Sequence, residues 1–266
     1  VNLKNVIRIA SITFEESYRK KFLYILLFLS AILMVSAFLF DPFNIGQQMP
    51  VVKDICLTGL SFFGLVLTFA LFLTAIPNEI EKKTLYPLLS KPVSRSDYLW
   101  GKFVGNMVMV FINLLVITIE ITFLINKLIP GDVVMATRLT ELTTIFWSSS
   151  LLFIECGVVG ALIVLFSPFM SYPVNLVLTM LMYISGNVSQ GYINFIASEQ
   201  NSSLGAMLAI MLKYILPNFE YFHIKNSVVH SYIVDPNYVM GSAVYGFVYI
   251  MIVMLIADIL FQRKDL

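Results

Sequence analysis

Two acidic side chains, Glu120 and Glu155, lie within long apolar stretches. An ionisable group there is costly in lipid and normally faces protein or water. Asn106, Asn113, Glu120 and Lys127 recur every seven residues, a spacing that drifts only slightly around a helix and forms one polar stripe. Asn187, Gln190 and Asn194 share one face of a later helix. Thr58, Ser61 and Thr68 add small polar groups to an earlier one. Such groups can line a substrate path, or they can fix helix packing by interhelical hydrogen bonds. Thr58, Ser61, Glu155, Asn187, Gln190 and Asn194 form the candidate path, and for Glu155 both readings stay open. Glu120, nearer an end of its stretch, reads as structural, with its carboxyl reaching toward the headgroups.

Other chemistry is poorly provided for. His223 and His230 stand seven residues apart, near Met207 and Met211, without the tight spacing of a metal site, so no metal is expected. The two cysteines, Cys56 and Cys156, lack paired spacing and read as small apolar residues. Ser148–Ser150 is a run of small residues expected at a helix start, not a nucleophile elbow. An intramembrane enzyme would need paired catalytic groups at one depth, and Glu155, about 20 Å below the outer end of its helix by helical rise, has no evident partner in the sequence. No phosphate-binding G-x-x-x-x-G-K-[ST] motif occurs, so no nucleotide cofactor is expected on this chain. No nucleic-acid partner is expected.

The elements that carry these residues are dictated by solvent. The chain has 266 residues, 59% hydrophobic and 12% charged, with a mean hydropathy of +0.86. A soluble domain of this size needs far more polar surface, so lipid must be the main solvent. A hydrocarbon core of about 30 Å takes about 20 helical residues. Six stretches qualify: Phe22–Phe40, Ile55–Ile76, Phe103–Asn126, Leu142–Phe166, Val174–Ala197 and Val239–Leu260. The first is too long and too basic-flanked for a signal peptide and is expected to be retained. Leu204–Leu216 is too short to span, which predicts a re-entrant or interfacial segment within an outer region 198–237. Lys4, Arg8, Arg19–Lys21, Lys82, Lys83, Lys91, Arg95, Lys102, Arg263 and Lys264 cluster on one side, placing both termini and the 78–101 loop in the cytoplasm. Leu3, Val6, Ile7, Ala10 and Phe14 oppose Lys4, Arg8, Ser11 and Glu15 at helical spacing, so residues 1–21 form an amphipathic helix on the inner leaflet. The fold class is therefore all-α and polytopic, a single domain over 1–266.

The cytoplasmic loop is unusually structured. Asn78 caps a helix whose Glu81 completes a capping box, Glu79 adds a favourable charge, and Pro87 limits it to two or three turns. Ser94 or Ser96 caps the next helix, with Asp97 in its first turn. Glu79, Glu81, Thr84-Leu85, Leu88-Leu89, Pro92-Val93-Ser94-Arg95 and Gly101-Lys102 resemble the signature of ABC-2 type permeases, with Lys83 where glycine is common. Leu216-Pro217-Asn218 and the Arg263–Leu266 tail also resemble the branch containing the permease for nitrous-oxide-reductase copper-site maturation. The resemblance covers essentially the whole chain.

It implies a permease subunit that moves a substrate across the membrane while ATP and Mg are handled by a separate ABC ATPase. Two ATPase copies would bind two permease copies, a homodimer being expected. The 78–90 helix would be the coupling helix, gripped through Asn78, Glu79, Glu81, Lys82, Lys83, Thr84, Leu85 and Leu88. Helix 1–21 would be the connecting helix. The implied location is a prokaryotic cytoplasmic (inner) membrane, and an accessory extracytoplasmic protein is a further candidate partner. The alternative is a non-transporting membrane scaffold that anchors a cytoplasmic or extracytoplasmic complex.

Overall fold

The computed structural model describes residues 2–39, 48–75, 94–129, 135–198, 216–232 and 234–263. Eight α-helices occur among them, joined late in the chain by one 3-10 turn. They are α1 (Leu3–Tyr18), α2 (Lys21–Leu39), α3 (Gln48–Ala75), α4 (Arg95–Leu128), α5 (Met135–Phe166), α6 (Tyr172–Ser198), α7 (Lys225–Val229) and α8 (Pro236–Gln262), with the 3-10 turn at Phe219–Phe222. There is no strand among the described residues. Among the described residues, four helices are long and apolar enough to cross a membrane: Met49–Ala75, Arg95–Leu128, Arg138–Phe166 and Pro236–Gln262. Of the six spans expected, four thus stand on length and composition; α2 and α6, of 19 and 27 residues, occupy the other two positions. Helix 78–90 and segment 204–215 lie outside the described residues.

Local chemistry explains several boundaries. α4 starts at Arg95 because the Ser94 hydroxyl accepts from the Asp97 amide at 3.1 Å. α8 starts at Pro236, whose missing N–H costs nothing in a first turn, behind Asp235, which accepts from the Asn237 amide. α3 and α5 begin at Gln48 and Met135, earlier than Ile55 and Leu142, and so take Lys53 and Glu141 into their second turns. Lys53 and Glu141 pair with each other, so neither charge is left alone in the fold. Ser148–Ser150 lies inside α5 rather than at a helix start. Ser149 and Ser150 donate to the Phe146 and Trp147 carbonyls at 3.0 and 2.8 Å, which satisfies both hydroxyls within the helix.

α5 is the most deeply buried of the four long spans and packs against α3, α4, α6 and α8. Its turn into α6 is held by Asn175, which donates to the Ile163 carbonyl and the Ser167 hydroxyl, both at 3.1 Å. Large apolar side chains such as Phe28, Ile119, Phe123, Met240 and Phe247 face outward, as lipid contact requires.

α1 packs most extensively on α4. It has three faces rather than the two expected. Val6, Ile9, Thr13 and Ser17 are buried. Leu3 and Ile7 are exposed. Lys4, Arg8, Ser11 and Glu15 lie on the polar side. The close approach depends on Gly101 and Gly105 of α4. A Cβ on Gly105 would lie 2.7 Å from the Ala10 carbonyl oxygen, and one on Gly101 would lie 2.6 Å from the Ile9 Cβ.

Candidate functional site

Glu155 projects from the middle of α5 and is 1% exposed. The Tyr183 hydroxyl of α6 donates to its Oε1 at 3.0 Å. His223, directly after the 3-10 turn, places Nε2 3.3 Å from the same oxygen. The partner missing from the sequence is therefore supplied by one of the two histidines, which the sequence reading had weighed only as a metal ligand. His230 instead lies beside the Tyr232 ring. Among the described residues, no three His, Cys, Asp or Glu side chains gather as a metal site would require.

His223 reaches Glu155 because segment 216–232 inserts between helices. α5, α6 and α8 all pack against the 3-10 turn, and α7 rests on α3 and α5. Small residues make the room. A Cβ on Gly186 of α6 would lie 2.5 Å from the Pro217 carbonyl oxygen, and one on Gly246 of α8 would lie 2.9 Å from the Phe222 ring. Phe219 and Phe222 are buried there, and the Tyr245 hydroxyl accepts from the Asn218 amide at 2.9 Å.

The remaining path candidates separate. Thr58 accepts from Lys225 and donates to the Asp54 carbonyl, and Ser61 donates to the Leu57 carbonyl at 3.0 Å. Both lie on α3, away from the bonds of Glu155. Thr68 is fully buried and donates to the Gly64 carbonyl at 2.8 Å. Asn187 donates to the Tyr183 carbonyl at 2.9 Å, one turn from the hydroxyl that meets Glu155. The side chains of Gln190 and Asn194 lie outside the described set.

The Asn106, Asn113, Glu120 stripe faces α1 and α2. Ser17 of α1 donates to Asn106 Oδ1 at 3.3 Å, and Ser30 of α2 donates to Glu120 at 3.4 Å. Asn113 donates to the Met109 carbonyl at 2.9 Å. Asn106 Nδ2 is buried without a hydrogen-bond partner. These contacts belong to helix packing.

Two further polar clusters escaped the sequence reading. At the beginning of α4, Asp97 is 2% exposed. Its two oxygens accept from the Asn2 amide at 2.7 Å and Asn5 Nδ2 at 3.2 Å. Lys102 pairs with Glu16 at 3.4 Å. Gln262 of α8 donates to the Ser96 hydroxyl at 2.9 Å. Three helices are thus joined where the 78–93 loop enters α4. Its predicted gripping residues Asn78, Glu79, Glu81, Lys82, Lys83, Thr84, Leu85 and Leu88 lie outside the described residues.

At the opposite end, Lys53 pairs with Glu141 and donates to the Ser231 hydroxyl at 2.9 Å. Lys225 pairs with Asp54 at 2.8 Å. Ser231 has φ 57°, the left-handed region that non-glycine residues seldom adopt. Only the tertiary pairing reveals this cluster, because its members are far apart in sequence.

The fold is a bundle of long apolar helices with one inserted segment and one clasped amphipathic helix. A search of curated proteins returned no match. The family described as ABC-2 family transporter protein matches residues 7–266. With nearly its whole length matched, the chain belongs to the ABC-2 family of transporter proteins, a membrane permease component of ABC transporters.

Proposed function

We propose that this chain is the transmembrane permease subunit of an ABC exporter or translocase, driven by a separate ATPase that docks on the 78–90 loop. The observation that carries the reading is the junction around Asp97. The charged loop leads directly into α4, and α4 is there bonded to α1 through Asn2 and Asn5 and to α8 through Gln262. A force applied to the loop reaches three helices at once. A scaffold without moving parts has no need for a loop so placed.

In this reading the chain crosses the inner membrane six times with both termini in the cytoplasm. Two copies meet two ATPases, which hold the ATP and Mg. The apolar exposed strip of α1 rests in the inner leaflet. The path candidates are those on α3, α5 and α6, with Glu155 as the deepest charge. Leu216-Pro217-Asn218 supports placement near the nitrous-oxide-reductase maturation branch.

The test is charge reversal of Glu79 and Glu81 together. Co-purification of the ATPase and transport-linked ATP hydrolysis should both fall at least tenfold. If both survive, the docking assignment is wrong.

A further inference from the structure

We propose that Glu155, His223 and Tyr183 form a proton-binding latch that holds segment 216–231 inside the helical bundle. This goes beyond the permease reading and does not depend on what is transported. A carboxylate buried to 1% exposure requires compensation. It has two donors, one from α6 and one from the inserted segment. The donor on the segment is a histidine, the side chain whose charge changes near neutral pH. Its side chain is 44% exposed, so the imidazole is not sealed inside the bundle as Glu155 is.

The groups around the latch pull in both directions, and the net effect is upward. Glu155 on α5 and Glu220 within the segment favour the imidazolium, while Lys225 and partial burial oppose it. Tyr183 approaches from α6 as a donor to the carboxylate. Tyr245 of α8 is occupied by the Asn218 amide. On α3, Asp54 takes Lys225, while Lys53 is taken by Glu141 and Ser231. The hydrogen bond to Glu155 is the main reason that the His223 pKa lies above its ordinary value.

The direction follows from that rise. The latch contributes fully below the ordinary histidine pKa of about 6.5. It weakens as pH rises through the elevated value, because neutral His223 leaves the Glu155 carboxylate without its counter-charge. Between the two values the latching equilibrium constant should fall with pH, by at most about tenfold per unit for one linked proton. The inserted segment then loosens while the long helices keep their packing.

The chain has only two histidines, so comparison with His223→Gln assigns the His223 signal. In the full-length chain, in lipid nanodiscs with labelled imidazoles, His223 should titrate above the ordinary histidine value of about 6.5. Glu155→Gln should bring the His223 pKa down, since the hydrogen bond to Glu155 is what raises it most. In hydrogen exchange corrected for intrinsic rate, the amides of 218–230 should lose protection as pH rises from about 6.5 through the elevated His223 value, by at most about tenfold per pH unit. His223→Gln should abolish that slope, and His230→Gln should leave it intact. Because His223 is partly exposed, its variant provides a reading even if Glu155→Gln fails to fold. A His223 that titrates at or below the ordinary histidine value in the unmodified chain would overturn the proposal. So would an unchanged slope in His223→Gln.

Discussion

At the level of single residues, the buried charges Lys53, Asp97, Lys102 and Glu155 among the described residues each have a partner from a distant part of the chain. Lys53 and Glu141 are the clearest pair, with side chains 3% and 15% exposed. Removing one member leaves the other charge buried, which costs more than the pair itself contributes. Lys53→Met should therefore destabilise the protein by about 3 kcal/mol, read as a lowered thermal midpoint in detergent. Adding Glu141→Leu should restore much of the loss, and a double variant no better than the single would refute the pairing argument. Glu155 follows the same rule. Its cost in lipid was readable from sequence, because an acid in an apolar run is conspicuous. Its partner was not, because His223 lies beyond a further helix and only folding brings the two within hydrogen-bonding distance.

At the level of elements, α1 shows how far periodicity reaches. Its amphipathic pattern marked a helix, and the helix is there at Leu3–Tyr18. A pattern of hydrophobicity distinguishes wet from dry, but not lipid from protein, so it could not identify Val6, Ile9, Thr13 and Ser17 as the packed face. Thr13 and Ser17 are polar by type, yet both are buried against α4 with bonded hydroxyls. Gly101 and Gly105 are the complement on α4. Gly105→Leu should push α1 away, since even a Cβ would lie within 2.8 Å of Thr13 Cβ. Overpacking of this kind costs about 1–3 kcal/mol. The expected readout is faster proteolysis within α1 and weaker coupling to the ATPase, with the remaining helices still folded. Unchanged protection of α1 would show that the clasp contributes little.

At the level of the whole molecule, α5 is the hub on which α3, α4, α6, α8 and the inserted segment meet. Both ends of the bundle are tied by polar contacts, through Asp97, Lys102 and Gln262 at one end and through Lys53 and Lys225 at the other. A displacement of α3 therefore acts on segment 216–231 through Lys225 and Ser231. As a permease, the assembled complex is expected to hold two copies of this chain and two of the ATPase. Native mass measurement checks this, and a single copy per complex would contradict it. The membrane class, the positions of the long helices and the family signature were all present in the residue order. They depend on composition, local periodicity and short-range capping, which need no knowledge of neighbours in space. The union of Glu155 with His223, the three faces of α1 and the pairing of Lys53 with Glu141 were decided only by tertiary structure. Each joins groups far apart in sequence, and contact at that range depends on how the helices pack rather than on where each begins and ends.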